Sequence, residues 1–362
     1  MSLVHRACVA LLSTALAVTL VGPGAAPAQA ADGTSKQAAQ AAHWLKGQLR
    51  HGVIHNGQFN FDDYGLTADT ALALKAIGHQ GAALDDVRRA LARHVDDYTT
   101  FKKDVFSGAT AKLLVVAQEL GARPRHFGGV NLVSRLEKRV ATDAPIAGRI
   151  EDKSASGDFA NTIGQVFAAR GLLKAGSASG VPVLKFLLKQ QCANGYFRLD
   201  FNSDKTAKKQ GCSSASPADT DVTALAVVEL TGLQDSSPAL ATALKDAVRW
   251  LTRHQRANGG FGGSGPTSAV NANSTGLAGW AFLVTGRCTQ EHDAAVWVRK
   301  RQVRGDVSGT PLAGELGAIA YDRAALKAAG RDGITQATRD QWRRATAQAA
   351  PVLQALHGCP AA

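Results

Sequence analysis

The chain of 362 residues carries its sharpest chemical signal in the run Asp219-Thr220-Asp221-Val222. Two carboxylates this close can raise one another's pKa and leave one protonated, ready to act as an acid. Other carboxylates, Asp69, Asp158 and Glu315, stand at comparable places further along. Two of them facing each other across a cleft would suit hydrolysis of a glycosidic bond. The plainer account of each is a helix cap, stabilised by unpaired N–H groups and the helix dipole. Around the acids lie Asp63, Tyr64, Asn161, Gln165, Asn271 and Asn273, with Trp280 among the few aromatics of the apolar runs. Amides and hydroxyls outnumber acid–base groups. Together with Asp69, Asp219 and Asp221, these residues form the expected ligand-binding set, suited to a large amide-rich or hydroxylated molecule in a concave site. No Gly-x-Ser-x-Gly, Walker loop, His-Glu-x-x-His or EF-hand spacing occurs, so neither a metal nor a cofactor is expected.

The elements that must hold these residues repeat along the chain. Six Ala/Leu/Val-rich runs each stop at a glycine: 68–78, 110–121, 165–176, 222–232, 275–286 and 315–330. A glycine just past a helix end is the expected left-handed C-cap. A striped, charged-faced segment precedes each run, at 38–49, 84–98, 130–140, 181–191, 239–255 and 292–302. The simplest packing places the apolar helices inside and the striped ones outside, with a last helix over about 338–356 beneath the ring. Between outer and inner helix lie Gln191-Cys-Ala-Asn-Gly-Tyr-Phe197 and Gln255-Arg-Ala-Asn-Gly-Gly-Phe261, and in unit one Asn56-Gly-Gln-Phe59. These read as turns joining helices, with the Phe tucked under the ring.

The pattern [Trp/Phe]-Leu-x-x-Gln, Asn-Gly-x-Phe, Asp-x-Thr-Ala-x-Ala resembles the prenyltransferase and squalene-cyclase repeat. It runs from Phe186 to Ala226 and, with Asn and Ser in place of the Asp, from Trp250 to Ala281. The resemblance covers most of residues 36–330 and implies an all-α fold, an α/α toroid of six inner and six outer helices around a cavity. For a terpene cyclase it implies an Asp-x-Asp-Asp acid motif, which here lacks its last Asp, with Asp221 where the acid would sit and Asp219 beside it. Cyclases of this family usually add a second helical domain and an aromatic lining, and the chain is only 6% aromatic. Protein prenyltransferases would need an Asp, Cys and His zinc site that is missing. The family also includes non-enzymatic binders, and exported toroids of the transcobalamin type, carriers of a corrinoid, are distantly similar.

Export is expected from residues 1–30. His5 and Arg6 precede an apolar run, and Ala28-Gln29-Ala30 offers a signal-peptidase site. Residues 31–362 would then form one domain. The mature chain keeps Cys192, Cys212, Cys288 and Cys359, read as two disulfides of an exported protein, Cys192–Cys212 and Cys288–Cys359. The net charge of +12 is spread over outer helices and tail, which fits contact with a cell-wall polyanion but not nucleic-acid binding. The Ala- and Arg-rich composition fits a high-GC bacterial gene. Capture of a small-molecule ligand is therefore expected over catalysis, with a membrane transporter or a separate lid protein as partner. The alternatives are a terpene-cyclase-like enzyme using Asp221 and a polysaccharide-active enzyme. Intact-mass measurement of protein from culture supernatant is expected to give a chain beginning at Ala31 and four hydrogens light; an unprocessed N-terminus or free thiols would overturn the exported, disulfide-bonded picture.

Overall fold

A computed structural model describes residues 34–78 and 81–357. The expected signal peptide and Cys359 lie outside the described residues. The chain alternates outer and inner helices. Helix α1 (Lys36–Gly47) lies outside and α2 (Tyr64–Ala76) inside; α3 (Ala82–Arg93) with the short α4 (Val95–Thr99) outside and α5 (Ser107–Glu119) inside. Then come α6 (Leu132–Glu137) and α7 (Thr162–Lys174), α8 (Gly180–Lys189) and α9 (Thr220–Leu230), and α10 (Pro238–His254) and α11 (Ala272–Val284). Last are α12 (Cys288–Arg299), the peripheral α13 (Arg323–Asp332) and the inner α14 (Gln336–Ala349). Inner helices pack side by side in the order α2, α5, α7, α9, α11, α14 and back to α2, an α/α toroid.

Small residues permit that close ring. A Cβ on Gly164 of α7 would sit 3.0 Å from the Gly108 Cα of α5, so the two staves touch backbone to backbone. Outer helices bury one stripe. In α10, Leu240, Leu244, Val248 and Leu251 are buried while Lys245 and Arg249 are exposed, the pattern expected of a helix half against a core. Trp44, Trp250 and Trp297 of the outer helices are core residues.

The turns of units three to six carry a recurring clamp. Gln191 Nε2 donates to Gly195 O in its own turn (2.8 Å) and to Ala243 O of the next outer helix, α10 (2.7 Å). Gln255 Nε2 does the same with Gly259 O and Gln290 O of α12, and Gln302 Nε2 with Gly317 O and Gln37 O of α1. In unit three the glutamine comes from the inner helix: Gln165 Nε2 donates to Gly148 O and Val183 O. The turn glycine lies flat on the next helix: at φ +100°, Gly195 would place a Cβ 2.5 Å from Asp246 O. The hydrophobic residue that follows donates its N–H to a threonine of the inner helix, Phe197 to Thr223 and Phe261 to Thr275, each at 2.9 Å.

Four expectations are corrected. The sixth inner helix is α14, not the run 315–330. Residues 315–320 are instead the clamp turn of unit six, where Ile319 N donates to Thr346 of α14. Hence no helix at 338–356 lies beneath the ring: its first part is a stave, and residues Pro351–His357 form a 3-10 segment against α12, α11 and α1. In unit one the clamp turn is His51-Gly52-Val53-Ile54, with Ile54 N on Thr67. Asn56-Gly57 is a β-hairpin turn between β1 (Val53–Asn56) and β2 (Phe61–Asp62), and Phe59 is exposed. Of the stop glycines, Gly78, Gly121, Gly176 and Gly286 take positive φ, whereas Gly232 sits in a 3-10 turn and Gly330 inside α13.

The ends of the chain close the ring. Arg344 of α14 pairs with Asp63 at the start of α2, Asn56 Nδ2 donates to Asp340 at 2.7 Å, and Trp44 Nε1 donates to Glu315 at 2.7 Å. Cys192 and Cys212 are disulfide-bonded across the loop before α9, and Cys288 is also disulfide-bonded. Among the described residues no helix is long and apolar enough to cross a membrane. Gly195→Ala is expected to cost roughly 2 kcal/mol or more, from the positive φ and the carbonyl it would strike, and to lower Tm by several degrees. Gly232→Ala, with open space around it, is the matched control and should not; equal Tm values for the two variants would refute the clamp.

Candidate functional site

All six inner helices begin at the same end of the ring, and the polar residues gathered there divide by what already satisfies them. Asp63 Oδ1 accepts from Leu66 N, Asn161 Oδ1 from Gly164 N, Asp219 Oδ1 from Val222 N and Asn271 Oδ1 from Ser274 N. These four are N-caps. Asp63 also pairs with Arg344, Asp219 accepts the Ser264 hydroxyl, and the Asn271 amide donates to the carbonyls of Thr267 and Ala269. Tyr64 stacks on His94 with centroids 5.1 Å apart. Gln165 is fully buried in its clamp. Of the ten expected ligand residues, these six are therefore occupied in holding the fold together.

Asp221 and Asn273 are different. They sit in the first turns of the adjacent staves α9 and α11. Each has an Oδ1 closed off from solvent and without a hydrogen-bond partner. Burial pushes the Asp221 carboxyl up to about 6; Ser274 beside it opposes the shift and Asp219 adds to it. Tyr321, whose carbonyl accepts from Ala272 N at 2.7 Å, faces the same carboxylate, and its own hydroxyl is raised by burial and then by the Asp221 charge.

Deeper in the ring, Asp69 and Trp280 line a central cavity of about 120 Å³ with Lys112, Phe167, Leu225, Glu229 and Gln348. Its charges are paired. Lys112 Nζ lies 2.7 Å from Asp69 Oδ1 and 5.6 Å from the centroid of the Phe167 ring. Arg170 bridges Glu229 (2.7 Å) and Glu119 (2.8 Å), and Lys174 completes the chain on Glu119. Burial acts to lower the Lys112 pKa, but Asp69 and Tyr98 outweigh it and the net shift is upward. Burial raises Glu229, only partly offset by Arg170. Lys112, Arg170 and Glu229 were missed as site residues in the sequence. Their signal was a lone charge within an apolar run, as in Ala111-Lys112-Leu113 and Val228-Glu229-Leu230. Among the described residues, no group of three His, Cys, Asp or Glu side chains is placed to hold a metal ion.

With this geometry in hand, the chain can be set beside known proteins. No family model matches it, and no curated protein matches its sequence. Solved structures do. A protein from Actinoplanes is 18% identical with a TM-score of 0.58, over 89% of this chain and 98% of that one. A variant of the type II terpene cyclase MstE from Scytonema, in complex with geranylgeranyl dihydroxybenzoate, is 14% identical with a TM-score of 0.58, over 89% and 97%. A glycosidase is 12% identical with a TM-score of 0.51, over 90% and 98%. The fold is a terpenoid-cyclase-like α/α toroid. The cyclase chain is spanned over nearly its whole length, so that enzyme is an exception to the usual second helical domain.

The Asp221 carboxyl carries a pH signature. Its folded pKa of about 6 exceeds the ordinary aspartate value of 3.8, so the folded state holds the extra proton and stability falls as pH rises from about 4 to about 6. Asp221→Asn is expected to stabilise the fold by about 1–3 kcal/mol relative to the parent at pH 7.5, read as a higher Tm, and to leave Tm nearly unchanged at pH 4. A gain of equal size at both pH values would mean that Asp221 is not held in this way.

Proposed function

We propose that the protein captures a small hydroxylated or amine-bearing molecule at the mouth of the toroid, where α9 meets α11, and does not cyclise a polyprenyl chain. The observation that carries this reading is the pair of closed-off acceptor oxygens, Asp221 Oδ1 and Asn273 Oδ1, on neighbouring staves. An unsatisfied buried acceptor costs about 1–3 kcal/mol, and a ligand O–H or N–H placed against it recovers that energy. The interior supports the same conclusion. Lys112 and Arg170 set cations where cyclisation calls for π faces to hold a carbocation. A cavity of about 120 Å³ is well below the roughly 300–1,000 Å³ usual for a drug-sized ligand, and a corrinoid is larger still. The expected large ligand is therefore replaced by a small one held at the rim. A sugar is the class that fits best, and a structural neighbour of the glycosidase type, 12% identical with a TM-score of 0.50, is in complex with glucose.

The export expected from residues 1–30 would put this capture outside the cell, with a transporter or lid protein receiving the ligand. A second reading is acid catalysis by Asp221, supported by its pKa near 6 and by the cyclases among the structural neighbours. Calorimetric titration with glucose and glucosamine, alongside incubation with geranylgeranyl dihydroxybenzoate, separates the two. Binding of a sugar or amino sugar, weakened about tenfold or more by Asp221→Asn and by Asn273→Leu without release of product, supports capture. A cyclised product lost in Asp221→Asn would replace capture with catalysis.

A further inference from the structure

Outside the ring, where the last outer helix meets the first, a groove of about 700 Å³ runs between α12 and α1 and is roofed on one side by α13. Its volume is in the range of small-molecule sites. Four cations line it: Lys36 from α1, Arg299 and Lys300 from the end of α12, and Arg304 from the loop beyond. All four are exposed, and none has an acidic or hydrogen-bonding side-chain partner among the described residues. The nearby Asp306 is turned to the Ser308 N–H at 2.9 Å. The floor is aliphatic, with Val303 and Leu312 buried and Leu316 and Leu326 half-buried.

Gln302 supplies the independent sign of a ligand. It lines the groove at 2% exposure. Its Nε2 is used twice in the clamp, yet its Oε1 has no donor. A molecule complementary to this groove has an anionic head for the four cations, a hydroxyl for the buried acceptor and an apolar chain for the floor. We propose that the α12–α1 groove binds a single-chain anionic amphiphile of the lysophospholipid type, its phosphate among Lys36, Arg299, Lys300 and Arg304 and its free hydroxyl on Gln302 Oε1. The site is separate from the mouth and does not depend on what the mouth holds.

The test is calorimetric titration of the folded chain with lauroyl lysophosphatidate below its micelle concentration. Glycerol 3-phosphate, inorganic phosphate and monolauroylglycerol are run in parallel. The proposal expects saturable one-to-one binding of lysophosphatidate that weakens with added salt, and at least tenfold weaker binding of the three partial probes. Laurate, with a charge and a chain but no hydroxyl, should fall between. The double charge reversal Lys300→Glu with Arg304→Glu alters only exposed, partnerless side chains and should leave Tm unchanged while weakening lysophosphatidate at least tenfold. Leu316→Arg should also weaken lysophosphatidate at least tenfold through the floor, with Tm measured alongside because Leu316 lies in the clamp turn. Equal binding of inorganic phosphate would reduce the groove to a bare anion site and overturn the proposal. So would lysophosphatidate affinity that survives both variants, or no binding at all.

Discussion

One side-chain amide, donating simultaneously to the carbonyl of its own turn and to the first turns of the next outer helix, is the contact on which the ring depends. Gln191, Gln255 and Gln302 each make it, and Gln165 makes it from the inner side. A buried amide with both hydrogens placed leaves little freedom for the helix it grips. Each clamp also needs a glycine flat against that helix, because a side chain would strike a backbone carbonyl. These four clamps thus fix successive outer helices against one another from unit three to where the chain returns to its start. There the final clamp, Gln302 on Gln37 O, joins the last outer helix to the first.

That closure determines what the interior can be. The inner helices approach closely enough for Gly108 and Gly164 to meet, so the lumen is narrow, and charged side chains that enter it must find partners there. Asp69 with Lys112, and Arg170 with Glu229 and Glu119, do so. A charge pair in a narrow lumen is costly to break, since removing one partner strands the other. The toroid is therefore plugged at mid-height by ion pairs. Buried acceptors left without a donor include Asp221 and Asn273 at the mouth and Gln302 at the seam.

Much of this was legible in residue order. The alternation of apolar and striped runs marks inner and outer helices, and the Gln-to-Asn-Gly-x-Phe spacing marks the clamp turns of units four and five. The sixth unit was misread because its clamp turn, Gly317-Ala318-Ile319, lies in an apolar Ala-rich run that mimics a helix, while the true stave is rich in Arg and Gln. That stave tolerates charge because Arg339, Arg343 and Arg344 bond Glu315, the His55 carbonyl and Asp63, groups distant in sequence. In unit one, Asn56-Gly57 has the strongest turn signature but serves a hairpin, because the quieter Gly52 already holds the clamp position.

The sequence by itself determined the helix types, the repeat and the residues eligible for a site, since each follows from local periodicity and turn chemistry. Only the tertiary structure decided which polar residues are free to act. Asp63, Asn161, Asp219 and Asn271 look as reactive on paper as Asp221 and Asn273. The difference lies in whether a helix N–H, an arginine or a serine from another unit arrives to satisfy them, and that depends on how the ring closes.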